Sequence, residues 1–225
     1  EICDFKFRVP LVGVFSSGKS SFVNALLGEN LLPADITPET SFPTEIVYGN
    51  VKNFVACDLD RSISLEVSEE NVIDNTWSKL LLEQNANKNN NDATEEINEE
   101  ETKSNIRPNF LLKIKHSSDN IKKLEKIRLL DIPGIDSSHA DHDRVISQNI
   151  KEAIAYIIVV SVDEGTIKNS LQMIIKELAA NQVPCAVLIT KTDKHENSKI
   201  DQVVFHINKE FVRLIGLEPV FIAPI

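Results

Sequence analysis

Residues 13–20 have the pattern Gly-x-x-x-x-Gly-Lys-Ser, and these residue types at this spacing suit the binding of phosphate groups. The glycines permit a tight turn whose backbone N–H groups point at phosphate oxygens. The lysine would neutralise the β- and γ-phosphates of a nucleotide, and the closing serine hydroxyl would bind Mg²⁺. The pattern stands between an apolar strand and an amphipathic helix, which disfavours a glycine-rich turn without a ligand. We therefore expect nucleotide contacts from Gly13, Ser16, Ser17, Gly18, Lys19, Ser20 and Ser21.

A second motif, Asp-Ile-Pro-Gly at residues 131–134, directly follows an apolar run. Asp131 is predicted to approach Mg²⁺ through a water molecule, and the Gly134 N–H to reach the γ-phosphate. Contacts of this kind change after hydrolysis, which would give a nucleotide-dependent switch. Taken alone, a strand that ends in Asp-x-Pro-Gly could be only a turn. The phosphate loop earlier in the chain favours the functional interpretation.

A third motif, Thr-Lys-Thr-Asp, extends from Thr190 to Asp193 at the end of another apolar run. The Asp193 carboxylate can accept two hydrogen bonds from N1 and N2 of guanine, a pairing that adenine does not offer. The stem of Lys191 can lie along the base. An exposed loop would tolerate the same residues, but the carboxyl end of a strand is where such sheets bind ligands. The motif indicates GTP or GDP as the ligand, and separates the chain from ATPases and small-molecule kinases.

A GTPase also needs a threonine in a mobile loop, where it binds Mg²⁺ and orients the attacking water. Residues 29–44 contain three prolines and are predicted to form an irregular loop. Thr37, Thr40 and Thr44 are the candidates, and spacing alone does not choose among them.

Apolar runs alternate with helical patterns along the rest of the chain. Strands are predicted at 7–15, 45–48, 53–59, 63–67, 110–115, 127–130, 156–162, 185–189 and 220–222. Helices are predicted from the phosphate loop to Gly28, from Ser68 to Leu81, and at 143–153, 168–178 and 198–214. This order predicts an α/β fold of the P-loop NTPase type, with a mostly parallel sheet covered by helices on both faces.

Residues 84–106 differ in composition from the rest, because they are rich in Asn and Glu and contain Ile97 as the only large apolar residue before Ile106. Such a segment buries too little apolar surface to offset its ordering entropy, and we expect a disordered insert. A recognition segment for a basic partner is the alternative. The chain carries a net charge of -10 and has no clear basic patch, so nucleic acid is not expected as a partner.

Length and composition fit one GTPase domain over residues 1–225. No apolar run approaches the ~18 residues of a membrane-spanning helix, and no signal peptide is visible. Three cysteines, odd in number and far apart, fit a reducing cytosol. Because the first residue is Glu1, we expect a fragment of a longer chain.

The motifs together resemble a family. The phosphate loop continues as Ser-Ser-Phe-x-Asn-Ala-Leu-Leu-Gly to Gly28, and residues 40–49 have the pattern Thr-Ser-Phe-Pro-Thr-Glu-Ile-x-Tyr-Gly. Both segments are similar to the GTPase domain of bacterial dynamin-like proteins, a group that also resembles the mitofusins. The similarity covers residues 9–49 and resumes at the two later motifs.

The resemblance implies roles for individual residues. Thr40 matches the catalytic threonine of the family, three residues before Pro43, and is the implied Mg²⁺ ligand and water-positioning residue. Ser16 matches a phosphate-loop serine that helps some dynamins hold a monovalent cation, Na⁺ or K⁺. Together with Lys19 these are the expected catalytic residues. Phe15 departs from the glutamine of eukaryotic dynamins, and no arginine finger is identifiable.

The resemblance also implies partners and a location. It implies self-association through the GTPase domain, and a cytoplasmic protein attached peripherally to membranes through regions outside this chain, which would remodel or tether them. The base-closing loop, stalk and membrane tip of the family would lie outside these residues. A small regulatory or ribosome-assembly GTPase is the first alternative, and a nucleotide-binding scaffold without turnover is the second.

Overall fold

The computed structural model describes residues 6–33, 42–60, 62–92, 109–135 and 153–225. Strands in these ranges are β1 (Phe7–Gly13), β2 (Thr44–Tyr48), β3 (Asn53–Asp58), β4 (Ile63–Glu66), β5 (Phe110–His116), β6 (Ile127–Asp131), β7 (Tyr156–Ser161), β8 (Cys185–Thr190) and β9 (Phe221–Pro224). The α-helices in these ranges are α1 (Lys19–Leu27), α2 (Glu69–Ile73), α3 (Trp77–Asp92), α4 (Asp119–Lys122), α5 (Asn169–Ala180) and α6 (Asn197–Ile215).

The strands of the described ranges form one sheet in the order β4-β3-β5-β2-β6-β1-β7-β8-β9. From β6 to β9 all neighbours are parallel, as are β2 and β5. The pairs β2–β6, β3–β5 and β3–β4 are antiparallel. The strands β6, β1, β7, β8 and β9 therefore end at the same side of the sheet, called here the carboxyl edge. The prediction of a mostly parallel α/β fold is confirmed.

Helices pack on both faces because successive strand residues point to opposite sides. In β1, Leu11 belongs to a core cluster with Val23 of α1 and Trp77 of α3. Its neighbour Val12 belongs to a second cluster, with Phe211 of α6. A strand buried on both faces reads as a continuous apolar run, which is why β1 and β7 were recognisable in the sequence.

The helix predicted from Ser68 is two helices in the structure. Ser68 does begin it, since its Oγ accepts a hydrogen bond from the Asn71 N–H in a capping box. The chain then turns at Asn75, where φ is +53°. A left-handed residue is incompatible with a continuing α-helix, so α2 ends and α3 begins at Trp77.

Helix α3 continues to Asp92, so residues 84–92 are helical, whereas they were expected to belong to a disordered insert. Once a helix is nucleated, each added residue gains a hydrogen bond, and this propagation extends α3 into the polar segment. The remainder of the insert lies outside the described residues. The helix predicted at 143–153 also lies outside them, apart from its last residue.

Candidate functional site

Three motifs meet at the carboxyl edge. Residues 13–20 begin with the last residue of β1, residues 131–134 with the last residue of β6, and residues 190–193 with the last residue of β8. The order β6-β1-β7-β8 places the first two motifs on adjacent strands and the third two strands away. The first residue of β2, Thr44, pairs with Asp131 and reaches the same edge from the opposite direction. Parallel topology thus brings together residues that are far apart in the chain.

The phosphate loop has a backbone that depends on its glycines. Gly18 has φ of +92°, a conformation that side chains disfavour. A Cβ at Gly13 would lie 2.5 Å from the Ser17 Oγ and 2.7 Å from the Val159 carbonyl oxygen, so no side chain fits there. Ser16 also adopts a positive φ, +57°, and its side chain is exposed. The loop therefore turns sharply into α1, whose first backbone amides face the carboxyl edge.

Lys19 is the first residue of α1, and its side chain is buried. Its ammonium donates to the carbonyl oxygens of Gly13 and Val14, both at 3.0 Å. These two contacts place the positive charge inside the curve of the phosphate loop. A buried ammonium at a helix N-terminus makes this a strongly electropositive position, suited to an anion.

Asp131 and Ser20 form an oxygen-rich pair beside this charge. The Ser20 hydroxyl donates to Asp131 Oδ2 at 3.0 Å, whereas Asp131 Oδ1 is buried and has no hydrogen-bond partner among the described residues. Burial raises the pKa of Asp131 more than the Lys19 charge and the Ser20 hydrogen bond lower it. A buried carboxylate oxygen without a donor is costly. A hydroxyl and a carboxylate are the oxygen ligands that a hard divalent cation prefers, so the pair fits Mg²⁺.

The loop after β6 lies directly against the phosphate loop. The Ile132 N–H donates to the Leu11 carbonyl, and the Ile135 N–H to the Gly13 carbonyl, both at 3.3 Å. Between them, a Cβ at Gly134 would lie 2.7 Å from both N and Cα of Phe15. Only glycine allows the two loops to approach so closely.

The guanine motif contacts the phosphate loop through its first residue. The buried Thr190 hydroxyl donates to the Ser17 carbonyl at 2.5 Å, and its side chain lies close to Gly18. As the first residue of the guanine motif, Thr190 is a predicted nucleotide contact, but in the structure its hydroxyl lies inside the protein and joins two loops. Lys191 adopts φ of +60° and the Asp193 side chain is exposed at the edge.

The structure also shows contacts that the sequence did not reveal. Asp163, just after β7, forms an ion pair with Lys191, with 3.2 Å between Oδ2 and Nζ. Phe42 packs on Trp77 and Phe110 beside the cleft that holds Lys19, with ring centroids 5.5 and 5.3 Å apart. Neither contact follows a local pattern, since each depends on which strands become neighbours.

The candidate threonines Thr37 and Thr40 lie outside the described residues.

Comparison with known proteins identifies the family. The family model described as "Dynamin family" matches residues 9–192, most of the chain. The chain belongs to the dynamin family. It is therefore a dynamin-type G domain, which supports a guanine nucleotide as its ligand.

Individual relatives agree with the family assignment. The chain is 23% identical to dynamin-like protein 2 of Campylobacter jejuni over 212 residues, 93% of this chain and 30% of that protein. It is 50% identical to the bacterial dynamin-like protein of Nostoc punctiforme over 46 residues, 20% of this chain and 7% of that protein. A solved structure of an oligomerised bacterial dynamin pair, described as a mechanism for long-range sensing and tethering of membranes, superposes with a TM-score of 0.61. It is 19% identical, over 99% of this chain and 31% of that chain.

The chain thus spans about a third of the length of the Campylobacter protein and of the solved dynamin. Among the described helices, none combines the length and apolar character that crossing a bilayer requires.

Proposed function

We propose that this G domain hydrolyses GTP to GDP and phosphate with Mg²⁺ as its cofactor. The observation that carries the proposal is the pairing of Ser20 with Asp131 beside the buried Lys19 ammonium. Among the described residues, no donor reaches the second, buried oxygen of Asp131. This combination of positive charge and oxygen ligands matches what phosphoryl transfer needs, namely positioning and electrostatic stabilisation.

In this proposal each described residue has a distinct role. Lys19 and the N–H groups at the start of α1 bind the β- and γ-phosphates. Ser20 would bind Mg²⁺ directly and Asp131 through a water molecule. The Gly134 N–H faces the γ-phosphate. When bound, the metal neutralises charge that develops on the phosphate oxygens.

Two further roles come from the family resemblance. Thr40 would bind Mg²⁺ and position the attacking water, and Ser16 would help to hold a monovalent cation, Na⁺ or K⁺, near the transferring phosphate. Ser16 is exposed at the turn of the phosphate loop, and this position supports its proposed role in holding a cation.

GTP turnover by the purified protein tests the proposed activity. Phosphate release should require Mg²⁺ and stop with EDTA. Lys19→Ala should lose nucleotide binding, whereas Thr40→Ala should bind GTP and lose most hydrolysis, because water positioning matters mainly in the transition state. Lys194→Ala, which removes an exposed lysine near the guanine motif, is the matched control and should behave as wild type. Normal turnover by Thr40→Ala would place the catalytic threonine elsewhere.

We further propose that the full-length protein is cytoplasmic and acts at membranes, which it tethers or remodels after G domains associate. The solved bacterial dynamin pair with the same fold supports this role, since it is described as tethering membranes. The regions that contact lipid would lie outside this chain.

A further inference from the structure

Two loops at the carboxyl edge meet beside the guanine motif. Strands β7 and β8 are parallel neighbours, and their last residues, Ser161 and Thr190, are paired. The Val162 N–H donates to the Thr190 carbonyl at 3.0 Å, which continues the pairing beyond the strands. Asp163 is the next residue on one side and Lys191 the next on the other. Strand register therefore brings a carboxylate to the lysine of the guanine motif.

The Asp163 carboxylate is held from two directions. One oxygen, Oδ2, lies 3.2 Å from Lys191 Nζ, and the other, Oδ1, lies 2.8 Å from His195 Nε2. Lys199 Nζ donates to His195 Nδ1 at 3.1 Å. Because Nδ1 accepts that bond, the proton of the neutral ring sits on Nε2 and is donated to Asp163. Hydrogen bonds from His195 and then Lys191 lower the pKa of Asp163, so its carboxylate is ionised at neutral pH.

This ion pair contributes little to stability. The Lys191 and Asp163 side chains are 28% and 46% exposed, and ion pairs between such side chains are weakened by solvent. The ion pair instead restricts the conformation of the Lys191 side chain. A lysine side chain loses rotamer entropy when it is ordered on binding, and a stem that is ordered before the ligand arrives loses less of it. The left-handed backbone of Lys191 already sets the direction in which the stem leaves the loop.

We propose that Asp163 is a positioning residue for guanine nucleotide binding. It holds the Lys191 ammonium so that the aliphatic stem is ordered for the base, and His195 in turn holds Asp163. This inference rests on the guanine site described above and adds a residue from a loop outside the three motifs.

A double-mutant cycle tests the proposal. The GDP dissociation constant is measured by calorimetry for wild type, Asp163→Ala, Lys191→Met and the double variant. Asp163→Ala should weaken GDP binding about threefold to fivefold, the upper part of the range for an exposed ion pair. Lys191→Met keeps the apolar stem and removes the ammonium, so in that background the Asp163 substitution should have no further effect. The KM for GTP should rise with the Kd, with kcat unchanged.

Asp201→Ala, which removes an exposed carboxylate from α6, is the matched control and should bind GDP as wild type does. Asp163→Asn, which keeps the shape of the side chain, should weaken binding in the same direction as Asp163→Ala. GDP binding by Asp163→Ala equal to that of Asp201→Ala would overturn the proposal. Asp163→Ala could also lower GDP affinity by the same factor in the wild type and in the Lys191→Met background. That result would overturn the proposal too, since Asp163 would then act independently of the Lys191 ammonium. A wild-type protein that binds no GDP would contradict the guanine assignment itself.

Discussion

At the scale of single residues, Gly134 is a position where one added carbon atom would have a large consequence. A Cβ there would meet backbone atoms of Phe15 at 2.7 Å, and backbone has no rotamer with which to move away. We expect Gly134→Ala to push the loop after β6 away from the phosphate loop and to slow GTP hydrolysis at least about tenfold, a loss of ~1.4 kcal/mol in transition-state stabilisation. Single-turnover experiments with saturating GTP measure this decrease in the hydrolysis rate.

Gly28→Ala is the control for this substitution. Gly28 ends α1 with φ of +80°, and an added Cβ would have nothing within 4 Å. The change should therefore cost ~1 kcal/mol of stability through backbone strain and leave the hydrolysis rate unaltered. Equal rates for Gly134→Ala and Gly28→Ala would show that the close approach of the two loops is unimportant.

Several site residues could be predicted from the sequence because their motifs are local. The phosphate loop and the turn after β6 each occupy a few consecutive residues, and each follows a recognisable apolar strand. Asp163 could not be predicted, since its contact with Lys191 depends on the register of β7 and β8. The hydroxyl contact of Thr190 with Ser17 has the same origin, because it joins residues from two separate loops.

At the scale of elements, Phe42 connects the loop before β2 with α3 and β5. Its ring packs on Trp77 and Phe110. Phe42 is only half-buried, so Phe42→Ala should cost about 2 kcal/mol, less than the ~3–5 kcal/mol of a fully buried phenylalanine. Trp77 is the only tryptophan, and its fluorescence reports the packing directly.

Urea denaturation followed by this fluorescence measures the effect. Phe42→Ala should also shift the native emission to longer wavelength, because Trp77 gains contact with water. Phe205→Ala, at a position 61% exposed on α6, serves as control and should change neither quantity by much. Unchanged emission in Phe42→Ala would indicate that the aromatic contact is not maintained in solution.

A second connection between elements is charged. Lys52 Nζ lies 2.6 Å from Glu29 after α1 and 2.9 Å from Glu69 of α2. His116 at the end of β5 also contacts Glu29 through Nε2, since its Nδ1 accepts from the Ser118 N–H. Burial raises the pKa of Glu29, but the hydrogen bonds from Lys52 and His116 together outweigh it and hold the pKa below 4.5.

This lowered pKa predicts how stability depends on pH. The folded state releases the Glu29 proton more readily than the unfolded state does. The contribution of Glu29 to the free energy of unfolding is therefore fully present above pH 4.5, and it is lost as the pH falls through the pKa of the folded state. Urea denaturation between pH 6 and about pH 3 should show this loss, and Lys52→Met should reduce it. Lys79→Met, at an exposed site on α3, is the control. The same acid dependence in both variants would contradict the assignment to Glu29.

The elements themselves show why sequence patterns succeed or fail. Strands such as β7 and β8 could be predicted because they are buried on both faces and consist of apolar runs. The break between α2 and α3 could not be predicted, because the left-handed conformation of Asn75 leaves no signature in the spacing of apolar residues. Helix α4 is a single short turn, too brief to show a period.

At the scale of the whole molecule, we expect the proposed activity to depend on a second copy. Lys19, Ser20 and Asp131 would supply charge and oxygen ligands for one nucleotide, but the sequence has no recognisable arginine-finger motif that would stabilise the transferring phosphoryl group. We expect a monomer with GDP and a dimer with GDP plus aluminium fluoride when the full-length protein is used. Light scattering gives the mass. A monomer under both conditions, with specific activity independent of concentration, would favour a small regulatory GTPase.

Guanine recognition by Asp193 is tested by a titration of wild type and Asp193→Asn with GDP and XDP. Asp193→Asn replaces the acceptor for guanine N1 and N2 with an amide that can donate to the additional carbonyl of xanthine. Wild type should prefer GDP. The variant should lose about 100-fold in GDP affinity, as expected for two charge-assisted hydrogen bonds, and should prefer XDP. Unchanged preference for GDP in Asp193→Asn, or equal affinity of the wild type for GDP and ADP, would show that Asp193 does not recognise guanine.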